Sequence, residues 1–161
     1  MLKILCDTNF YIYLLNENSL LHGNARGYFE YFTRKEFELS ISTIAIAEYC
    51  VKGDLSELPL KNLKIISFNL SHAKKAGEFT RITNNARKDG HLDIDKRIIV
   101  LNDTKMFAQA ECEHFDYYLT SDVNSLKIYN LIQPKFRFLD FNAPYDEVFG
   151  VLDFTKDDDL F

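Results

Sequence analysis

Ile4-Leu5-Cys6-Asp7-Thr8-Asn9-Phe10-Tyr11-Ile12-Tyr13-Leu14-Leu15 is the stretch on which the reading of the chain turns. Met1 to Cys6 is a short apolar run broken only by Lys3, which suits a buried strand. Asp7 follows at once, then the hydroxyl of Thr8 and the amide of Asn9. The apolar spacing resumes at Phe10, Ile12, Tyr13 and Leu14, as in a helix laid on a sheet. An ionised carboxylate at the end of a buried strand is costly unless a cation or hydrogen-bond donors meet it. In an open α/β sheet that position faces the crevice where ligands bind. A short polar residue there also caps the following helix well, so Asp7 alone leaves cap and functional carboxylate both open.

The 161 residues suffice for one domain that buries about two-thirds of its unfolded surface. A hydrophobic share of 47% with 27% charged residues is that of a soluble globular chain, and 14 Phe and 9 Tyr point to an aromatic core. No apolar run approaches the ~18 residues that span a bilayer, and Met1-Leu2-Lys3 leads straight into a strand, so neither membrane span nor signal peptide is expected. Cys6, Cys50 and Cys112 are odd in number and widely spaced, which reads as reduced core thiols in a cytoplasmic protein. No Cys-x-x-Cys pair suggests zinc. The net charge of −5 argues against binding nucleic acid through overall charge, but a cluster of carboxylates built to hold cations contributes to that same excess.

Outward from the opening stretch, residues 19–37 read as a second helix weakened or broken near Gly23 and Gly27. Glu38-Leu39-Ser40-Ile41-Ser42 alternates like a short strand. Ser42 or Thr43 caps a helix over 44–51 that contains Glu48. Ile65-Ile66-Ser67-Phe68 is a short strand or an extended connector. Ser71 is the expected cap of a helix reaching about Lys88, and along it Lys74, Arg81 and Lys88 recur every seven residues. That stripe is either a solvated face or a surface for RNA phosphates. A polar loop carries His91, Asp93 and Asp95. Ile98-Ile99-Val100-Leu101 is too short to classify, and Asn102 and Asp103 open a helix over 104–114. Tyr117-Tyr118-Leu119 is a strand, Thr120-Ser121-Asp122 leads into a helix over 123–131, and Phe136-Arg137-Phe138-Leu139 is a last strand. Residues 141–161 form a tail whose Tyr145, Val148, Phe149, Val151, Leu152 and Phe154 are expected to pack, with the final residues frayed.

Strands alternating with helices predict an α/β fold with a mainly parallel central sheet and helices on both faces, a three-layer α/β/α sandwich. Asp7 and Asp122 each follow a strand directly, Glu48 lies one to two turns into the helix leaving another, and Asp103 is expected at a helix start. Four acids meeting without a cation repel, and some must take up protons. Oxygen ligands suit Mg2+ or Mn2+, which lower the pKa of a bound water and steady a phosphodiester's developing charge. No Gly-rich phosphate loop or Gly-x-Ser-x-Gly elbow competes for another chemistry, and the four histidines read as structural or solvated.

With these residues in place the chain resembles a PIN domain, the fold of metal-dependent nucleases that includes the VapC-type toxins of toxin–antitoxin pairs. The resemblance rests on Ile4-Leu5-Cys6-Asp7-Thr8-Asn9, Ile41-Ser42-Thr43-Ile44-Ala45-Ile46-Ala47-Glu48, Asn102-Asp103-Thr104-Lys105-Met106-Phe107-Ala108-Gln109-Ala110 and Tyr118-Leu119-Thr120-Ser121-Asp122, in that order. It implies a nuclease domain over residues 1–140, with 141–161 as an extension packed on it. It further implies an Mg2+- or Mn2+-dependent endoribonuclease with Asp7, Glu48, Asp103 and Asp122 as catalytic acids and Asp7 and Asp103 as principal metal ligands. Thr8, Asn9 and Thr120 would position those acids. The family often carries another acid two positions after Asp122; here it is Asn124, which can still hydrogen-bond water or phosphate. An RNA substrate, a cognate antitoxin and a homodimer are implied by the same resemblance. The alternative is a catalytically silent PIN-fold module that binds RNA or protein. A haloacid-dehalogenase-type phosphatase would use Asp7 as nucleophile, but its Asp-x-Asp pattern meets Asn9 here.

Overall fold

The computed structural model describes residues 1–94 and 97–150, and the side chains of 97–99 lie outside that description. The expectations for Asp95 and for the tail's Val151, Leu152 and Phe154 likewise fall outside the described residues. Five strands, β1 (Lys3–Cys6), β2 (Glu38–Ser42), β3 (Lys64–Ile66), β4 (Tyr117–Thr120) and β5 (Arg137–Asp140), form one sheet in the order β3-β2-β1-β4-β5. Every pairing is parallel. The described helices are α1 (Thr8–Leu15), α2 (His22–Arg34), α3 (Thr43–Tyr49), α4 (Leu70–Lys88), α5 (Arg97–Cys112), α6 (Val123–Ile132) and α7 (Tyr145–Phe149), with short 3-10 turns at Leu55–Glu57 and Leu60–Asn62. The result is a PIN-like α/β/α sandwich.

β1 is central because Ile4, Leu5 and Cys6 are fully buried, with helices covering both faces of the sheet. The chain winds from β1 to β2 and β3 on one side, then crosses to β4 and β5 on the other. Right-handed crossovers put α1, α2 and α3 on one face and α4, α5 and α6 on the opposite one, and the helices pack among themselves in those two groups. β4 shows the division in consecutive residues. The Tyr118 ring meets Phe107 of α5 edge-on at 4.9 Å, whereas Tyr117 meets Phe149 of α7 at 6.0 Å on the other face.

Several local expectations are corrected. α2 runs unbroken through Gly23 and Gly27. At Gly27 a Cβ would stand 2.9 Å from the Tyr145 ring, so the missing side chain lets α7 close onto α2, where Phe149 stacks on Tyr31 at 4.9 Å. The cap of α4 is Asn69 rather than Ser71; its side chain accepts the His72 N–H at 3.0 Å while His72 Nδ1 accepts the Asn69 N–H at 3.1 Å. β2 alternates polar and apolar residues, yet Ser40 and Ser42 are fully buried because helices cover both faces. α5 begins at Arg97, absorbing the unclassified apolar run, so Asp103 lies in the helix's second turn and not at its start.

Candidate active site

The winding direction reverses between β1 and β4, and the crevice beyond their carboxyl ends is where an open α/β sheet binds ligands. Asp7 closes β1 there, and its N–H continues the ladder to Leu119 O at 2.9 Å. Asp7 Oδ1 accepts the Thr8 N–H at 2.7 Å, capping α1, and Oδ2 accepts the Thr120 hydroxyl at 2.7 Å. The residue therefore caps the helix and also lines the crevice. Thr120, fully buried at the end of β4, uses all three capacities of a hydroxyl. It donates to Asp7 and accepts from the Asn9 amide at 3.1 Å and from the Asp122 N–H at 3.1 Å.

Glu48 projects from α3 and is held on both oxygens: Oε2 accepts the Thr8 hydroxyl and Oε1 accepts the Asn102 side-chain amide. Asn102 opens one of the motif segments but has no role assigned to it there, because its partner is 54 positions away in the sequence. Asp103 is 8% exposed, and its Oδ2 is buried with no well-formed hydrogen-bond partner among the described residues. Asp122 caps α6 by accepting the Asn124 N–H at 2.7 Å.

Asp7, Glu48, Asp103 and Asp122, carried by four different connections, line one cleft of about 810 Å3 together with Thr8, Asn9 and Asn102. Lys52 is the one cation among the described lining residues, and Ile12, Leu15 and Val51 give the cleft a partly exposed apolar rim. Thr120 lies behind the lining and acts through Asp7. Asn124 contributes its backbone N–H to Asp122 and does not line the cleft. Lys74, Arg81 and Lys88 are exposed on α4, and none of them lines it either.

The electrostatics follow from crowding four acids together with two of them, Asp7 and Asp103, buried. Burial raises the Asp7 carboxyl from 3.8 to about 6, against the hydrogen bonds from Thr120 and Thr8, and the charges of Glu48 and Asp122 add to the rise. Burial likewise pushes Asp103 well above the ordinary carboxylate range, reinforced by Asp7 and Asp122. The buried Ser125 hydroxyl, which has no well-formed hydrogen bond of its own, opposes that rise as a smaller influence. Tyr118 is fully buried beneath the cluster, its hydroxyl without a well-formed bond; burial first, then the charges of Asp7 and Asp103, raise it far above the usual phenol value. Neither Ser125 nor Tyr118 carried a sequence signal beyond its place beside Asp122 or in β4.

The donor set consists of carboxylate, amide and hydroxyl oxygens with no thiolate or imidazole, which suits a hard divalent cation such as Mg2+ or Mn2+. The orphaned Asp103 Oδ2 lacks the partner that such a cation supplies. Among the described residues no three Asp, Glu, His or Cys side chains are already closed around a single point where an ion could sit. The cluster is thus assembled in one cleft but not drawn together into a cage. No described helix is long and apolar enough to cross a membrane.

The fold matches solved structures at low sequence identity. A chain of VapBC2 from Rickettsia felis, crystallised with a DNA fragment from its promoter, aligns at 20% identity with a TM-score of 0.60, covering 86% of this chain and 100% of that one. DNA-bound VapBC from Salmonella typhimurium aligns at 18% identity and TM-score 0.57, covering 88% of this chain and 99% of that one. FitAcB from Neisseria gonorrhoeae aligns at 15% and 0.61, covering 87% and 99%. No protein-family model matches the sequence, and no curated protein matches it significantly. At these identities the likeness is one of fold.

Proposed function

We propose that the chain is a divalent-cation-dependent endoribonuclease, the toxin component of a toxin–antitoxin pair acting in the cytoplasm. The observation that carries this reading is the cleft itself: four carboxylates from four connections line it at the topological switch point, and the buried Asp103 Oδ2 has no well-formed hydrogen-bond partner among the described residues. Asp7 and Asp103 would hold Mg2+ or Mn2+, with Glu48 and Asp122 completing its surroundings. When bound, the ion supplies Lewis-acid stabilisation of the phosphodiester and a more acidic water. The protein's own part is to hold its acids in position. Thr8 and Asn102 fix Glu48, and Thr120 fixes Asp7 while tying it to Asp122 through the Asp122 N–H. The VapBC and FitAcB likeness supports a cognate antitoxin partner, and the homodimer rests on the motif resemblance alone.

A silent PIN-fold binding module is the second reading, favoured by the absence of any preformed three-ligand group among the described residues. Calorimetric titration with Mn2+ and an RNA-cutting assay separate the two. Saturable binding, with EDTA-sensitive cutting lost in Asp7→Asn and Asp103→Asn, supports the nuclease. Undiminished cutting by either variant, or no Mn2+ uptake by the parent, rejects it.

A further inference from the structure

A second groove, of about 570 Å3, lies between α4 and the first turns of α5. Arg81 and Lys88 come to it from α4 and Lys105 from α5, with the amides of Asn84 and Asn85 between them. Among the described residues no carboxylate lines it, and none of the three cations forms an ion pair. In a chain of net charge −5, a local concentration of cations is the surface on which a polyanion can settle. α5 is a wall common to both cavities: Asn102 and Asp103 line the acidic cleft, and Leu101 and Lys105 line the groove. Seven residues of helix place Arg81 and Lys88 about 10 Å apart along α4, the span of about three successive charges on one nucleic-acid strand. Gly77 leaves the other end of the groove open, since a Cβ there would meet nothing within 4 Å.

We infer that this groove, lined by Arg81, Lys88 and Lys105, binds the phosphate backbone of the nucleic-acid strand whose scissile bond lies in the acidic cleft across α5. The inference deepens the nuclease reading and rests on it. It also revises the expected basic stripe, because Lys74 lies outside the groove and Lys105, on another helix, lies within it.

The test measures binding of a fluorescein-labelled oligouridylate by anisotropy in EDTA, from about 50 to 200 mM salt. The triple variant Arg81→Gln/Lys88→Gln/Lys105→Gln should bind at least about tenfold more weakly and flatten the log–log salt slope by about 2, the value for three lost contacts to a single strand. Gly77→Leu should weaken binding several-fold with the parent's slope, because it fills the groove without altering charge. Lys74→Gln should bind like the parent. Circular-dichroism melts check that each variant is folded. Parent-like affinity and slope in the triple variant, or parent-like affinity in Gly77→Leu, overturns the inference. So does a changed sedimentation coefficient in the triple variant with RNA binding intact, which would make the groove a seat for a second copy. Because the readout needs no divalent ion, it stands apart from cutting. Loss of the catalytic reading with the groove effect intact, and the reverse, are separate results.

Discussion

The hydroxyl of Thr120 lies 2.7 Å from Oδ2 of Asp7, joining residues 113 positions apart at the ends of the two central strands. That bond both satisfies a buried carboxylate oxygen and holds it toward the ionised form. Thr120→Val keeps the shape and removes the donor, so it should cost about 1–3 kcal/mol in urea unfolding at pH 7, while Thr120→Ser should cost much less. Equal losses in the two variants would show that the methyl group matters and the hydrogen bond does not.

Asn102 and Thr8 clamp Glu48 without themselves being acids. Asn102→Ala should weaken Mn2+ binding or RNA cutting by about 10- to 100-fold, as loss of a ligand-orienting partner commonly does. Titration calorimetry beside a cutting assay measures it, and parent-like values for both would remove Asn102 from the site.

Burial holds the Asp7 carboxyl at about 6 in the folded chain, against 3.8 as the ordinary value. The folded state therefore binds that proton more tightly than the unfolded state does. The group's contribution is present below about pH 4 and is lost as pH rises through 6. Asp103, raised in the same direction, extends the loss upward. In metal-free buffer, Asp103→Asn should accordingly gain stability on the parent as pH rises from 5 to 8. Urea midpoints across that range give the answer, and a parent–variant difference that is flat with pH contradicts it.

A cation that binds only the folded cluster should relieve the same repulsion. Mn2+ at about 100 times its Kd should add ~2.7 kcal/mol to the parent and almost nothing to Asp7→Asn or Asp103→Asn. Thermal melts with and without EDTA report it. An equal rise in parent and variants would place the ion elsewhere.

Two of the helix glycines, Gly77 and Gly27, should respond oppositely to a methyl group. Gly77→Ala meets open space and should stabilise by about 0.5–1 kcal/mol through helix propensity. Gly27→Ala must displace the Tyr145 ring, 2.9 Å from the added carbon, and should forfeit that gain or turn it into a loss. Denaturant melts compare them, and equal stabilisation at both sites would mean that α7 yields freely.

Much of the architecture was legible because strand ends and acids coincide: Lys3–Cys6 runs into Asp7, and Tyr117–Thr120 runs into Asp122. Glu48 was legible as an acid in the second turn of a helix leaving a strand. Asp103 was misread at the local level, since Asn102-Asp103 looks like a cap and only the preceding apolar run, which has no period, signals that the helix has already begun. Pairwise partnerships such as Asn102 with Glu48 join distant positions and leave no periodic trace. Ser40 and Ser42 misled for a related reason, because alternation marks a solvent face only when one face of a sheet is bare. The cationic groove was half legible, two of its three charges belonging to one helix.

Because β1 pairs with β4 at the centre of the sheet, the strand that ends at Asp7 waits for the one that runs into Asp122. At 5–20 residues per second, roughly ten seconds of translation separate Asp7 from Asp122. Throughout that interval the acids lie on an unfinished chain, with no pocket to share. On the nuclease reading, cutting therefore waits until Asp122 has left the ribosome and β4 has paired with β1.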